Sequence, residues 1–203
     1  MQKVKPKTPY ATYILITLNI ILYIAALNSG GNKDLNSLDS LGALIPQKVL
    51  FGEWWRIVNA NFLHFGFLHL STNMLSLWFL GRLVESSVGS GKYLLVYLIS
   101  GIGSMLSCTY VYTQLGNNNI VLIGASSAIM GLVGTILVIA FRTWLNQKTL
   151  LNAKRLGVVL LVIGLQFVLD SIIPQISFYS HFFGLIIGSL VSAIVLLSKP
   201  NFT

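Results

Sequence analysis

Long apolar stretches, separated by short polar breaks, run along almost the whole chain. A window of about 18 residues with few charges is long enough for a helix to cross the hydrocarbon core of a bilayer. Such windows predict six spans, the fourth slightly short: Tyr10–Leu27, Gly66–Val84, Tyr93–Thr113, Ser126–Phe141, Leu156–Ile173 and His181–Ser198. We therefore expect an all-α membrane protein with six transmembrane helices, forming a single domain over residues 1–203.

Composition supports this interpretation, because 55% of the residues are apolar and only 9% are charged, far outside the usage of soluble globular proteins. The first span has lysines before it, as a cleaved signal sequence would. It is nevertheless long, lacks a clear small-x-small cleavage site and is followed by more spans. We interpret it as a retained first helix.

The first connection, residues 28–65, is too long for a simple turn. It contains the segment FGEWWRIVNANFLH, from Phe51 to His64. Its aromatic side chains suit the headgroup region of a bilayer. We expect a structured interfacial loop with short helical pieces.

Basic residues are distributed unevenly between the two sides of the predicted bundle. One side carries Lys3, Lys5, Lys7, Arg82, Lys92, Arg142, Lys148, Lys154, Arg155 and Lys199, and the other carries Lys33, Lys48 and Arg56, offset by Asp34, Asp39 and Glu53. By the positive-inside rule, both termini are predicted to be cytoplasmic. The net charge of +8 then reflects topology and attraction to anionic lipid, and it gives little support to a nucleic-acid partner.

Several kinds of chemistry are disfavoured by motifs that the chain lacks. The single cysteine, Cys108, lies within the third span, so neither a disulfide framework nor a cysteine metal site is available. The patterns GxxxxGK[ST], HExxH and GxGxxG do not occur. Three histidines without a carboxylate cluster would make a weak zinc site. We expect no metal and no cofactor.

Polar residues lie near the outer end of three predicted spans. Span two contains His69 and Asn73, span four begins with Ser126 and Ser127, and span six begins at His181. We expect these side chains to lie at a similar depth below the outer surface. Polar groups inside a membrane are costly and tend to mark function.

Each of these residues also has a structural interpretation. Serine and glycine in membrane helices usually serve close packing. His181 shares a face with Gly184 and Gly188 and could form an interhelical hydrogen bond. His69 and Asn73, four residues apart, could simply pair with each other, and His64, just before the helix, is interpreted as structural.

A serine and a histidine together suffice for nucleophilic catalysis, because the imidazole can take the hydroxyl proton and later protonate the leaving amine. Ser126 begins a helix, where free N–H groups and the helix dipole favour an oxyanion. His69 and Asn73 could donate to the same oxygen. Asp170 could orient His181, but we interpret it as a carboxylate that faces the headgroups, and we expect a Ser/His dyad.

Three segments carry a family resemblance: EWWRIVNANFLHFGFLHLSTNMLSLWFLGRLVESSVGSGKY, GASSAIMGLVG and SHFFGLIIGSL. They resemble the signatures of rhomboid intramembrane serine proteases: a Trp-Arg first loop followed by HxxxxHxxxN, a GxSG nucleophile motif, and HxxGxxxG. The resemblance extends from about Glu53 to the end of the chain and matches the minimal six-span bacterial form, which implies a location in the bacterial plasma membrane.

The resemblance implies a role for each matching residue. Ser126 would be the nucleophile and His181 the general base, with His69, Asn73 and the Ser126 backbone N–H forming the oxyanion pocket. Trp55 and Arg56 would belong to the lateral first loop. The expected substrates are transmembrane proteins with a small residue before the scissile bond, and the oligomeric state is left open.

This sequence departs from the family pattern at two positions. Ser127 stands where the family usually has glycine after the nucleophile, and Met130 stands where an aromatic residue often packs against the catalytic histidine. A thioether holds the imidazole less rigidly than a ring, so we expect activity lower than is typical. The rival interpretations are a pseudoenzyme that binds membrane helices without cutting them, and a small transporter or channel.

Helical periodicity separates the two adjacent serines. Ser127, Gly131 and Gly134 lie on one stripe of the helix, whereas Ser126 lies about 100 degrees away from it. We predict that the stripe packs against the Gly184 and Gly188 face of span six, and that Ser126 faces a pocket.

Overall fold

The computed structural model describes residues 8–28, 35–173 and 177–197. Within these ranges the fold is all-α, as predicted, and the only β-type pairing is one isolated bridge between Leu44 and Leu122. Other positions used in the sequence analysis lie outside the described residues: Lys3, Lys5, Lys7, Lys33, Asp34, Ser198 and Lys199.

Ten α-helices lie in the described part of the chain: α1 (Tyr10–Asn28), α2 (Leu35–Ser40), α3 (Pro46–Leu50), α4 (Arg56–Asn59), α5 (Gly66–Ser76), α6 (Arg82–Val88), α7 (Ser90–Gln114), α8 (Ser126–Asn146), α9 (Leu150–Ile172) and α10 (Phe178–Leu197). Five of them, α1, α7, α8, α9 and α10, are long and apolar enough to cross a membrane. Each matches one predicted span.

The remaining predicted span, Gly66–Val84, is a helical run divided by a π-turn. Helix α5, the π-turn at Leu77–Gly81 and α6 follow one another without a break. Gly81 ends the turn where α1 and α7 approach: a Cβ there would lie 2.9 Å from Tyr93 Oη and 3.0 Å from the Thr12 side chain. Neither α5 nor α6 alone is long enough to span a bilayer, so the count of six spans remains a prediction.

Two spans extend further than predicted at the end of the bundle opposite Ser126. Helix α8 continues past Phe141, because Arg142 donates from Nη1 to the carbonyl of Leu196 at 2.7 Å, which satisfies a charged group beside α10. The prediction of a short fourth span was therefore wrong. Helix α9 begins six residues early, at Leu150, because Thr149 caps it by accepting from the Asn152 N–H.

The first connection is structured, as predicted, over its described residues. It contains α2, α3 and α4, followed by a short 3-10 helix at Ala60–Phe62. Buried Arg56 organises it: the guanidinium pairs with Asp39 at 3.1 Å and Glu53 at 2.7 Å, and also donates to the carbonyls of Asp39 and Ala43. These bonds hold the segments of the loop together, and α3 and α4 pack against α7.

Helix α8 lies at the centre of the bundle, packed against α7, α9 and α10. Small residues let the backbones approach: a Cβ added to Gly184 would collide with the Ser127 carbonyl, and one added to Gly188 would collide with the backbone of Gly131. A Cβ on Gly134 would lie 2.7 Å from the Leu185 carbonyl oxygen. The predicted close contact between these two glycine-bearing faces is confirmed.

Candidate active site

Ser126 is the first residue of α8, directly after a tight backbone turn. Gly124 has φ +110°, and a Cβ on it would lie 2.8 Å from Cε1 and Nε2 of His69. Glycine is therefore needed there both for backbone conformation and for space. Ala125, the N-cap residue of α8, makes no side-chain cap, so within the described structure the first N–H groups of the helix can bind a negative oxygen.

One cavity of about 1010 Å³ brings the predicted polar residues together. Ser126, His181, His69 and Asn73 all line it, as does Met130. These residues come from α8, α10 and α5, three separate helices, as the sequence analysis expected. Ser126 is partly exposed in this cavity.

Ser127 has a different environment. It is fully buried, it does not line the cavity, and its Oγ donates to Asn61 Oδ1 at 3.2 Å. The structure thus places the two adjacent serines on different sides of α8, as the stripe predicted.

His181 is buried near the start of α10 and is hydrogen-bonded to a carboxylate. Its Nδ1 lies 2.9 Å from Oδ2 of Asp170, whose side chain is completely inaccessible to solvent. The other oxygen, Oδ1, accepts a 2.7 Å bond from Gln166 Nε2. The interpretation of Asp170 as a headgroup-facing carboxylate was wrong, because the end of α9 lies against α10 and not at an open surface.

The arrangement around His181 determines which ring nitrogen is available. A carboxylate beside Nδ1 favours the tautomer with the proton on Nδ1. Nε2 is then left as the unprotonated nitrogen that can accept a proton. The structure records no hydrogen bond between His181 and Ser126, which is common for catalytic pairs without substrate.

His69 and Asn73 are oriented by the backbone of α5. The Phe65 N–H donates to His69 Nδ1 at 3.4 Å, so the neutral ring carries its proton on Nε2, which lies beside the Gly124 turn. Asn73 is buried and donates one amide proton to the His69 carbonyl at 2.8 Å, which leaves the second proton free. The two side chains do not pair with each other directly, contrary to the structural interpretation considered above.

The other predicted site residues surround the cavity or support it. His64 is buried outside the cavity, its Nε2 lies 3.5 Å from the Ala125 nitrogen, and its ring meets that of His69 edge-on. Burial lowers the pKa of His64 to about 3, with nearby His69 adding to the effect. The imidazole is therefore neutral and accepts from the turn before Ser126. This contact agrees with a structural role.

Trp55 and Arg56 lie in the first connection and do not line the cavity. The Arg56 guanidinium stacks over the Trp55 ring at 4.9 Å. Met130 is buried beside Val133 and Leu185 while also lining the cavity. It fills space one turn below Ser126, where the family pattern has an aromatic residue.

Comparison with known proteins identifies relatives over most of this chain. A family model described as "Rhomboid domain" matches residues 51–198. The chain is 33% identical to "Rhomboid protease GluP" of Bacillus subtilis over 95% of its own length and 36% of that protein. It is 34% identical to "RHOMBOID-like protein 4" of Arabidopsis thaliana over 82% of this chain and 40% of that protein. It is 30% identical to "Rhomboid protease AarA" of Providencia stuartii over 92% of this chain and 72% of that protein. The chain thus spans well under half of the first two relatives and most of the third.

Proposed function

The chain belongs to the rhomboid family and is an integral membrane protein, and on that premise we propose that it is a serine endopeptidase that cleaves transmembrane segments of other membrane proteins near the outer face. Ser126 is the nucleophile and His181 is the general base. The observation that carries the proposal is the single cavity in which Ser126, His181, His69 and Asn73 meet.

The proposed reaction is acyl transfer to a serine. His181 Nε2 accepts the Ser126 Oγ proton as Oγ attacks the scissile carbonyl, and the imidazolium then returns that proton to the departing amine nitrogen. Water, activated by the same nitrogen, hydrolyses the ester and regenerates both side chains. The dyad therefore needs neither a metal nor a cofactor.

The negative charge of the tetrahedral intermediate requires donors aimed at one oxygen. The uncapped start of α8 supplies the Ser126 N–H. His69 supplies Nε2–H, because its Nδ1 is already accepting from Phe65. Asn73 supplies the amide proton that the His69 carbonyl does not use.

The walls of the cavity favour a membrane-embedded substrate. Apolar residues of both α5 and α9 line it, including Leu68 and Leu169. Both of these side chains are also exposed, so they can contact lipid. A transmembrane segment whose end unwinds can enter between them, because a nucleophile cannot reach a carbonyl inside an intact helix.

The orientation of the site follows from charge. Lys148 lies in the short connection between α8 and α9, at the end of the bundle opposite Ser126, and Lys154 and Arg155 lie in the adjacent turns of α9. The positive-inside rule assigns that end to the cytoplasm and the cavity to the outside. Thiol labelling of Lys148→Cys in intact cells tests this assignment, and labelling by an impermeant reagent from outside would contradict it.

The proposal is tested with purified protein in liposomes and a reporter that carries one transmembrane segment with small residues near its outer end. The wild-type protein should release two fragments, identified by mass spectrometry. Ser126→Ala and His181→Ala should bind the reporter without cutting it. If the wild-type protein also binds without cutting, the chain is a pseudoenzyme and the proposal is wrong.

A further inference from the structure

The Gln166–Asp170–His181 hydrogen bonds extend from the proposed general base into α9, and they have no part in a simple dyad. Gln166 and Asp170 lie one turn apart on the same face of α9. Gln166 Nε2 donates to Asp170 Oδ1 at 2.7 Å, and Asp170 Oδ2 lies 2.9 Å from His181 Nδ1. Among the described residues, the Asp170 carboxylate thus contacts Gln166 through one oxygen and His181 through the other, and it has no lysine or arginine partner.

We propose that Asp170 is a positioning residue that holds His181 in the orientation and tautomer needed to take the Ser126 proton, and that Gln166 holds Asp170 in place. This inference rests on the proposed function of Ser126 and His181. It assigns to α9 a part in the reaction that the dyad alone does not contain.

The physical effect of Asp170 has two parts. A carboxylate that accepts from Nδ1–H keeps the lone pair on Nε2, the ring nitrogen that Asp170 does not contact. When the Ser126 proton moves to Nε2, the ring becomes a cation, and the adjacent carboxylate stabilises that cation in a site with little water. Asp170 itself neither gains nor loses a proton in this scheme.

A purely structural tie between α9 and α10 explains the arrangement less well. Burying a carboxylate removes it from water, and the desolvation free energy is large unless hydrogen bonds or an opposite charge offset it. A tie between helices can be made by neutral groups, as the buried Thr135 and Ser192 hydroxyls do at 2.8 Å between α8 and α10. A completely inaccessible carboxylate therefore favours a role that needs its charge.

The test compares Asp170→Asn with a matched control on the same helix. Asn152 is as buried as Asp170, at 5% exposure each, and it also makes side-chain hydrogen bonds, but it lies at the opposite end of α9. Asp170→Asn should lower kcat by about tenfold or more with KM changed by less than about threefold. Its rate of labelling by a fluorophosphonate should fall in parallel, because labelling also needs an activated serine. Asn152→Ala should keep both rates once the amount of folded protein is matched.

Equal kcat in Asp170→Asn and the wild-type protein would overturn this inference while leaving the dyad intact. Absence of cleavage in the wild-type protein would instead contradict the proposed function.

Should Asp170→Asn fail to fold, two other measurements decide the question. Gln166→Met, which keeps the side-chain volume but removes the donor to Oδ1, should lower kcat by about threefold. In wild-type protein with nitrogen-labelled histidine, one ring N–H proton should be strongly deshielded by the carboxylate, and Gln166→Met should shift it. An unchanged kcat in Gln166→Met, or the lack of such a resonance in the wild-type protein, would contradict the role of Asp170.

Discussion

The two sides of α8 differ sharply in how they are packed. Toward α10 the backbones touch through Gly131, Gly184 and Gly188, and no side chain could be added without a collision. Helix α9 is looser: 11% of its most apolar stretch is buried, against 44% for α8. A Cβ added to Gly157 or Gly164 on α9 would have no atom of another described helix within 4 Å.

The difference in packing corresponds to two different positions in the site. The tight α8–α10 pair carries Ser126 and His181, so the distance between the proposed nucleophile and the proposed base is set by backbone contact. The looser α9 forms one wall of the cavity and presents Asp170 to His181. A helix with few buried contacts can shift at small cost, which suits the proposed entry of a transmembrane substrate beside α9.

Glycine substitutions test the difference between the α8–α10 contact and α9 most directly, and they are expected to have the largest effect on stability and activity. Gly188→Ala should lose most folded protein and nearly all activity, because the added methyl collides with the Gly131 backbone and cannot be relieved by rotating a side chain. Overpacking of this kind costs about 1–3 kcal/mol or more. The measurement is the thermal unfolding midpoint in detergent together with the cleavage rate.

Gly164→Ala is the matched control, since it adds the same methyl group to an open face of α9. It should change the free energy of unfolding by less than about 0.5 kcal/mol and keep the cleavage rate. Similar losses in the two variants would show that the α8–α10 contact has no special importance.

Substitution of a proposed oxyanion donor is expected to give the next largest loss of activity. Asn73→Ala should lower kcat by about tenfold or more while weakening substrate binding less, because its free amide proton is proposed to act on the transition state. Thr72→Ala is the control: Thr72 also lines the cavity on α5, but its hydroxyl already donates to the carbonyls of Leu68 and His69. Steady-state kinetics on the reporter measure both. Weakened binding with an unchanged kcat in Asn73→Ala would assign Asn73 a structural role.

The smallest effect is expected at Met130, where the tight pair meets the cavity. Met130 packs with Val133, Ile163 and Leu185, so Met130→Leu, which nearly conserves volume, should change the cleavage rate by less than about threefold. A tenfold loss would indicate that the sulfur itself contacts the imidazole of His181.

Much of the fold could be predicted from the sequence, because apolar windows and glycine spacing are local signals. The placement of five spans and the contact between the two glycine-bearing faces depend only on such signals. The π-turn at Leu77–Gly81 could not be predicted, since it arises where Gly81 lets α1 and α7 approach. The end of α8 was misjudged because Arg142 finds its backbone partner, the Leu196 carbonyl, on another helix. The start of α9 was misjudged although its signal is local, since Thr149 caps the helix through the Asn152 N–H three residues on.

The candidate site shows the same contrast between local sequence signals and contacts that join separate helices. Periodicity assigns Ser126 and Ser127 to different faces of α8, whereas the choice of Ser126 as the nucleophile also depends on the GxSG resemblance. The contact between Asp170 and His181 is raised by the sequence but not favoured by it, because the two residues lie eleven positions apart on different helices. A signal was present, however: Gln166 precedes Asp170 by one turn, and a polar pair on one face of an apolar helix is costly unless that face is buried against a partner.

The central claim is that the cavity-facing serine, and not its buried neighbour, is the nucleophile. Fluorophosphonate labelling, in membranes, of variants in which one of the two serines is replaced tests it most directly. Labelling requires an activated hydroxyl and needs no knowledge of the substrate. Ser126→Ala should abolish labelling, whereas Ser127→Ala, which removes only a hydrogen bond to Asn61 worth about 1 kcal/mol, should keep most of it. Labelling retained in Ser126→Ala and lost in Ser127→Ala would contradict the account.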